Sequence, residues 1–274
     1  MNEIDYAGLT GRQIRRLCRT GAFTGSTAGV ARGFAQANLV VVRSALAADF
    51  ESFCRRNPQS CPLLEVTPPG EYALTQIAAD ADLRKDLPRY RVFQNGRCVD
   101  QPTSITAYWP DPSNDARCDL VAFLIACSFT FDSALIEAGV PVRHVEQRCN
   151  VSMYRTNIEC KASGPFAGPL IVSMRPMPPQ HVPTARAITG AFPRVHGAPI
   201  HVGDPSAIGI ADLDRPDYGD AVTMRPGEVP VFWACGVTPM EAVIHAGLDL
   251  AITHDPGHMF LTDLSDQSLR ETSP

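Results

Sequence analysis

Apolar and polar positions change period several times along the chain. Residues 10–19 turn Ile14, Leu17 and Cys18 to one face, which predicts a first helix. Its opposite face is basic. Arg12, Arg15, Arg16 and Arg19 recur at i, i+3, i+4 and i+7, which makes it either a solvated face or an anion or partner site. After a glycine-rich turn, residues 37–42 (Ala-Asn-Leu-Val-Val-Val) read as a strand. Ser44 then caps a helix that turns Leu46, Phe50 and Phe53 inward and stops at Asn57-Pro58. Residues 61–70 are turn-rich, and residues 89–99 alternate around Asn95-Gly96, the strongest short hairpin signal.

A composition break at Pro110-Asp-Pro-Ser-Asn-Asp precedes an apolar stretch, residues 119–138, that predicts one long helix or two abutting ones. Strands are expected at 140–145, 151–158 and 170–174; helices followed by consecutive strands imply an antiparallel α+β unit. From residue 182 onward, short apolar runs at 199–204, 229–236 and 250–254 alternate with segments that can be helical, most clearly 239–247. That alternation predicts a mostly parallel sheet with right-handed crossovers. The expected fold is therefore α/β: a mostly parallel three-layer α/β/α domain from residues 1–110 and 179–274, interrupted by a smaller two-layer α+β domain at 111–178.

The chain's 274 residues, 45% apolar and 19% charged, suffice for a large core and argue against long disorder. A net charge of −5 excludes a nucleic-acid scaffold built on a basic face and favours a small-molecule partner. No apolar run approaches the roughly 20 residues of a membrane span, and the first residues lack the basic and apolar regions of a signal peptide. Nine cysteines, an odd number with no C-x-x-C pair, read as reduced thiols of a cytoplasmic protein. Proline is in excess at 24 residues, and prolines follow the ends of the late strands.

Three of those strand ends carry polar groups: Gly203-Asp204-Pro205, Cys235-Gly-Val-Thr238-Pro239 and His254-Asp255-Pro256-Gly257. On a parallel sheet they would converge on a crevice outside the carboxyl ends of the strands. Thr238 as N-cap with Pro239 at the first helical position would set Cys235 near a helix N-terminus. The dipole there favours a thiolate or binds a carboxylate, although a buried hydrophobe is the commoner fate of cysteine. His254 and His196 are candidate acids or bases, with a hydrogen-bonded structural histidine as the alternative. His254 and His258 have metal-ligand spacing, but Pro256 and Gly257 break the helix that would align them, so no metal is expected. Asp212, Asp214, Asp217 and Asp220 do not match a calcium loop and read as an internally paired loop. Neither a Walker loop nor a dinucleotide fingerprint is present, and no cofactor is expected. Arg155 and Arg175, near strand ends, suit bidentate carboxylate binding, with structural salt bridges as the alternative.

The segments Gly25-Ser-Thr-Ala-Gly, Gln36-Ala-Asn38-Leu-Val, Cys61-Pro-Leu-Leu-Glu-Val, Asp86-Leu-Pro-Arg-Tyr-Arg-Val, Cys127-Ser-Phe, Met153-Tyr-Arg-Thr-Asn157, Val172-Ser-Met-Arg-Pro176, Phe192-Pro-Arg-Val-His-Gly-Ala-Pro, Phe232-Trp-Ala-Cys-Gly-Val-Thr-Pro239 and Pro256-Gly-His-Met are specific. Together they resemble the hydro-lyase family, also called the D-glutamate cyclase family, over nearly the whole chain. Ala31-Arg-Gly stands where that family has Ala-Pro-Gly, Asp255 where a small residue is usual, and residues 109–117 look like an insertion. The resemblance implies a bacterial, cytoplasmic, two-part α/β carbon–oxygen lyase whose relatives interconvert D-glutamate and 5-oxo-D-proline with loss of water. It brings no catalytic set.

On the residues themselves, His254, His196 and Cys235 are the candidates for chemistry. Arg155, Asn157, Arg175, Arg194, Asp204, Thr238 and Asn38 are the candidates for holding a small carboxylate, in a monomer or a homo-oligomer. The competing reading is a non-catalytic binder of a carboxylate metabolite, linked to oxoproline metabolism.

Overall fold

The computed structural model describes residues 5–111 and 119–271. Residues 112–118, which hold most of the composition break and of the apparent insertion, lie outside the described residues. Helix α1 (Gly11–Arg19) opens on a capping box: the Thr10 hydroxyl accepts from the Gln13 N–H while the Gln13 side chain accepts from the Thr10 N–H. The long strand β1 (Phe34–Arg43) passes directly into α2 (Ser44–Arg56), where Ser44 is the first helical residue rather than the cap. Strand β2 (Leu63–Val66) lies within the stretch expected to be only turns, and the Asn95-Gly96 hairpin forms as β3 (Tyr90–Gln94) and β4 (Arg97–Asp100). Asn95 and Gly96 both have positive φ, 51° and 73°, as a tight hairpin turn requires.

The apolar run beyond residue 119 splits into β5 (Leu120–Ala126) and α3 (Phe129–Glu137). Every residue of β5 is buried, so it shows no alternation, and periodicity alone cannot separate such a strand from a helix. The strand expected at 140–145 is instead a turn leading into the short α4 (Arg143–Glu146). Next come β6 (Ser152–Glu159), β7 (Pro169–Met177), α5 (Val182–Gly190), β8 (His201–Val202), β9 (Val229–Ala234) and α6 (Thr238–Ala246). Strands β10 (Ala251–His254) and β11 (Phe260–Ser265) follow.

These strands form a seven-stranded sheet ordered β2-β5-β1-β10-β3-β4, with β11 beside the first part of β1, and a four-stranded sheet ordered β6-β7-β9-β8. Every pairing among the described residues is antiparallel. The expected mostly parallel α/β/α domain is therefore overturned. Strand and helix segments do alternate late in the chain, but β9 joins β7 and β8 while β10 joins β1 and β3. Strands β8 and β9 are antiparallel neighbours, β10 enters the other sheet, and no parallel crossover forms among the described residues. Strand β5, from the segment expected to be an insertion, sits between β2 and β1, and β8 and β9 complete the sheet of β6 and β7.

Both faces of β1 are covered. Val40 and Val42 join Phe50, Phe53, Phe123, Phe166 and Met240 in one core; Ala37, Leu39 and Val41 join Tyr90, Trp109 and Ile252 in another. Each large side chain buried this way contributes about 1.5–3 kcal/mol. A third core, around Phe131, Leu135, Phe192 and Trp233, fastens α3 and α5 to β9. The polar groups considered next lie where the ends of β1 and β5 meet β7 and β9. No described helix is long and apolar enough to cross a membrane.

Candidate active site

At the end of β5 the chain turns through Cys127 and Ser128 into α3, and the Thr130 hydroxyl accepts from the Gln36 N–H at 3.1 Å, tying α3 to β1. Asp132, in the first turn of α3, is buried and meets two partners. Its Oδ1 accepts from Nε of Arg175 at 2.8 Å and lies 2.8 Å from Nη2, and its Oδ2 lies 3.0 Å from Nε2 of His144. Burial lowers the His144 pKa, outweighing the nearby Asp132. The neutral ring then donates its Nε2–H to the carboxylate, a tautomer assigned from that partner. Phe129 stacks on the same ring, with centroids 5.5 Å apart. The fully buried Arg175 also donates to Ser173 Oγ at 3.2 Å and Ser128 Oγ at 3.3 Å, and its guanidinium lies 5.0 Å from the Phe131 ring and 5.3 Å from that of Trp233. A buried cation persists only when paired and hydrogen-bonded in this way.

Asp132 forms part of the inner end of an open cleft. The outer part, about 340 Å³, is bounded by Arg32, Gly33, Ser133, Glu137, Asp266 and Gln267; the narrow inner end adds Gln36, Phe129 and Asp132. One wall is the loop before β1, where Gly29, Ala31 and Gly33 all have positive φ. The Ala31 and Arg32 N–H groups donate to the carbonyls of Tyr6 and Ala7, which hold the turn in place. Arg32, at the rim, is exposed, and its guanidinium has no hydrogen-bond or ion-pair partner among the described residues.

Asp266 follows β11 directly. Its N–H donates to the Gly33 carbonyl at 2.9 Å, while its Oδ1 is buried without a partner. Burial, with the charge of Asp132 and then Glu137 adding to it, raises the Asp266 pKa to about 7. A carboxyl poised near neutrality on the wall of a cleft is the pattern expected of an acid–base group.

Of the residues singled out from the sequence, Arg175 is central to this cluster although it does not itself line the cleft. His196 and Cys235 are buried within its electrostatic reach. Burial lowers the His196 pKa to about 4 and raises that of Cys235 to about 11, so the histidine is neutral and the cysteine is a thiol. His196 Nδ1 lies 2.7 Å from the Gln59 carbonyl. Val237, not Thr238, occupies the cap position of α6, and the Thr238 hydroxyl instead accepts from the Ile171 N–H at 3.0 Å, clipping α6 to β7. Asn38 donates to the carbonyls of Ile125 and Ala126.

His254 is fully buried, with Nδ1 3.3 Å from both the N and the O of Leu39, and burial lowers its pKa to about 4. Arg155 is spent on Glu241 at 3.0 and 2.8 Å and on Asp217 at 2.7 Å. Asn157, Arg194 and Asp204 are exposed, and Asp204 caps the turn at Ser206. The three strand-end turns do not converge: β8 and β9 run antiparallel, so their carboxyl ends point opposite ways, and β10 belongs to the other sheet. None of these residues lines the cleft.

Sequence reasoning selects none of Asp132, Asp266, His144 and Arg32. Asp132 did leave a signal, a lone acid in the apolar run Phe129-Thr-Phe-Asp-Ser-Ala-Leu. Asp266 left none, since Ser-Asp-Gln-Ser reads as an ordinary polar turn.

The sequence profile described as D-glutamate cyclase matches residues 121–263. The chain belongs to the D-glutamate cyclase family. The matched segment contains Asp132, His144 and Arg175; Asp266 lies just beyond its end and Arg32 well before its start. A protein of Stutzerimonas stutzeri named "Putative hydro-lyase" is 53% identical over 269 residues, covering 98% of this chain and 99% of its own. Similarly named relatives are 51% identical in Geobacillus kaustophilus (96% of this chain, 97% of the relative) and 49% identical in Clostridium beijerinckii (97% and 99%). Among solved structures, a nitrogen repressor-like protein from Methanococcus jannaschii covers 94% of this chain and is itself 99% covered, at 9% identity and a TM-score of 0.36, too slight a likeness to define the fold.

Proposed function

We propose that this member of the D-glutamate cyclase family is a carbon–oxygen lyase that interconverts D-glutamate and 5-oxo-D-proline. The observation that carries this reading is the pairing, in one cleft, of an unpartnered cation at the rim, Arg32, with an unpartnered carboxyl oxygen on the wall, Asp266 Oδ1. In the ring-closing direction the neutral amine attacks the side-chain carboxyl carbon. A C–N bond forms, the nitrogen gives one proton to a carboxyl oxygen, and that oxygen, on receiving a second proton, leaves as water as its C–O bond breaks. Asp266, near half-protonated at neutral pH, supplies that proton and takes it back when water adds in reverse.

Arg32 holds the substrate carboxylate that does not react, and the Ser133 hydroxyl is the neighbouring donor for the tetrahedral oxyanion. This reading moves the acid–base role away from His254 and His196. Both are neutral, buried and absent from the cleft lining. Cys235 is a thiol rather than a thiolate, and a carboxylate is a poor target for it in any case.

The test is to incubate the purified protein with D-glutamate and, separately, with 5-oxo-D-proline, and to follow both compounds by chiral chromatography. Conversion in either direction supports the assignment, and its loss in Asp266→Asn ties the activity to the cleft. No conversion in either direction, even with ligand-dependent thermal stabilisation, would leave a carboxylate binder and remove the cyclase reading.

A further inference from the structure

We infer that Asp132, fixed by Arg175 and His144, is a positioning residue whose charge at the inner end of the cleft adds to burial in disfavouring a second negative charge, on Asp266. The inference rests on Asp266 being the acid–base group proposed above. Three structural observations carry it. Asp132 and Asp266 line the same narrow inner end of the cleft, whereas Arg175 does not, so the cleft faces the negative member of that ion pair and not the positive one. Both oxygens of Asp132 are already engaged, Oδ1 by Arg175 and Oδ2 by His144, so the carboxylate cannot swing round to share a proton with Asp266. Asp266 Oδ1 has no donor of its own to offset a charge there.

His144 is suited to this arrangement because it is neutral. It orients Asp132 by a hydrogen bond without adding a second cation that would cancel the charge. The other charged groups around Asp266 do not replace Asp132. Glu137, also on α3, acts in the same direction but more weakly, and Arg32 is exposed at the rim. The turn Pro193–Val195, which packs beside Asp266, contributes only the exposed Arg194. Asp263 on β11 is committed to Arg15 at 2.9 Å.

The experiment is a carboxyl 13C NMR titration of the full chain labelled at aspartate, with Asp266→Asn assigning the resonance. In the unsubstituted protein the Asp266 midpoint is expected near neutrality. In Asp132→Asn it falls by about one pH unit, and the alkaline limb of kcat/KM for ring closure, where Asp266 must carry its proton, moves down with it. A midpoint unchanged in a folded Asp132→Asn protein, or one already in the ordinary carboxylate range before substitution, overturns the inference.

If the single substitution leaves Arg175 too poorly paired to fold, Asp132→Asn combined with Arg175→Gln removes the pair together and is read the same way. A merely structural role for Asp132 would lower thermal stability without moving the midpoint. Because the titration needs no turnover, a protein that titrates as expected but makes no product refutes the proposed reaction and leaves the Asp132–Asp266 coupling standing.

Discussion

Arg175 and Asp132 meet through one carboxylate oxygen: Nε and Nη2 of the guanidinium both approach Oδ1 at 2.8 Å, with both side chains buried between the sheets. Such a pair repays its desolvation only while complete. Arg175→Ala should therefore cost about 3–5 kcal/mol in urea unfolding, whereas Arg175→Met with Asp132→Leu should cost much less. Equal losses in the two proteins would mean that packing against Phe131 and Trp233, not charge, dominates at this position.

Gly236 is required by Asn38. A Cβ at Gly236 would lie 2.0 Å from Asn38 Nδ2, and that amide is held in place by the carbonyls of Ile125 and Ala126. Gly236→Ala should destabilise by about 2–3 kcal/mol. In a double-mutant cycle with Asn38→Ala, the combined loss should be smaller than the sum of the single losses. Additive losses would show that the strain is relieved elsewhere.

Two buried histidines set the acid limit of stability. His196 and His254 have folded-state pKa values of about 4, below the 6.5 expected when unfolded, so the unfolded chain binds more protons between those values. Their stabilising contribution is complete above pH 6.5 and is lost as pH falls towards 4, by about 3 kcal/mol each. His254→Gln should flatten the fall in unfolding free energy between pH 6.5 and 4. An unchanged slope would place the proton uptake elsewhere.

Asp266 has the opposite sign. Its folded pKa of about 7 exceeds the unfolded value of 3.8, so its contribution is complete below pH 3.8 and declines as pH rises through 7. Asp266→Asn should leave stability near pH 4 almost unaltered and raise it by about 4 kcal/mol at pH 8. The same substitution should lower kcat by about 10²- to 10⁴-fold if the carboxyl transfers the proton. Stabilisation with full activity would separate Asp266 from the chemistry.

Arg32 is assigned to ground-state recognition. Arg32→Ala should raise KM for the carboxylate substrate by about tenfold to a hundredfold with kcat little changed. A drop in kcat at constant KM would instead place the guanidinium at the reacting carboxyl.

What could be read from the sequence followed the local signals. The Asn95-Gly96 turn, the face of Ile14 and Cys18 in α1, the apolar run of β9 and the Pro239 start of α6 were all legible, because each is decided within about ten residues. The sheets were not. Val40 pairs with Thr253 and Val66 with Phe123, and nothing near either residue announces the partner. The parallel reading arose from the order of segments, which leaves open which sheet a strand joins. At the site, Arg175 was legible as a cation on a strand. Asp132 is set in place by Arg175 and Asp266 by Gly33, contacts made by segments far apart in the chain.

The pairing of β1 also bears on how the molecule is made. One edge of this strand meets β5 midway through the chain, while the other is closed by β10 and β11, with Phe260 opposite Ala37. During synthesis that second edge stays open, and liable to pair with other chains, until the segment beyond residue 250 has left the ribosome. The same segment delivers Asp266 to the cleft. The nascent chain thus has no acid–base group in place until its last strands dock, and that late, long-range closure is expected to set the rate at which newly made protein becomes active.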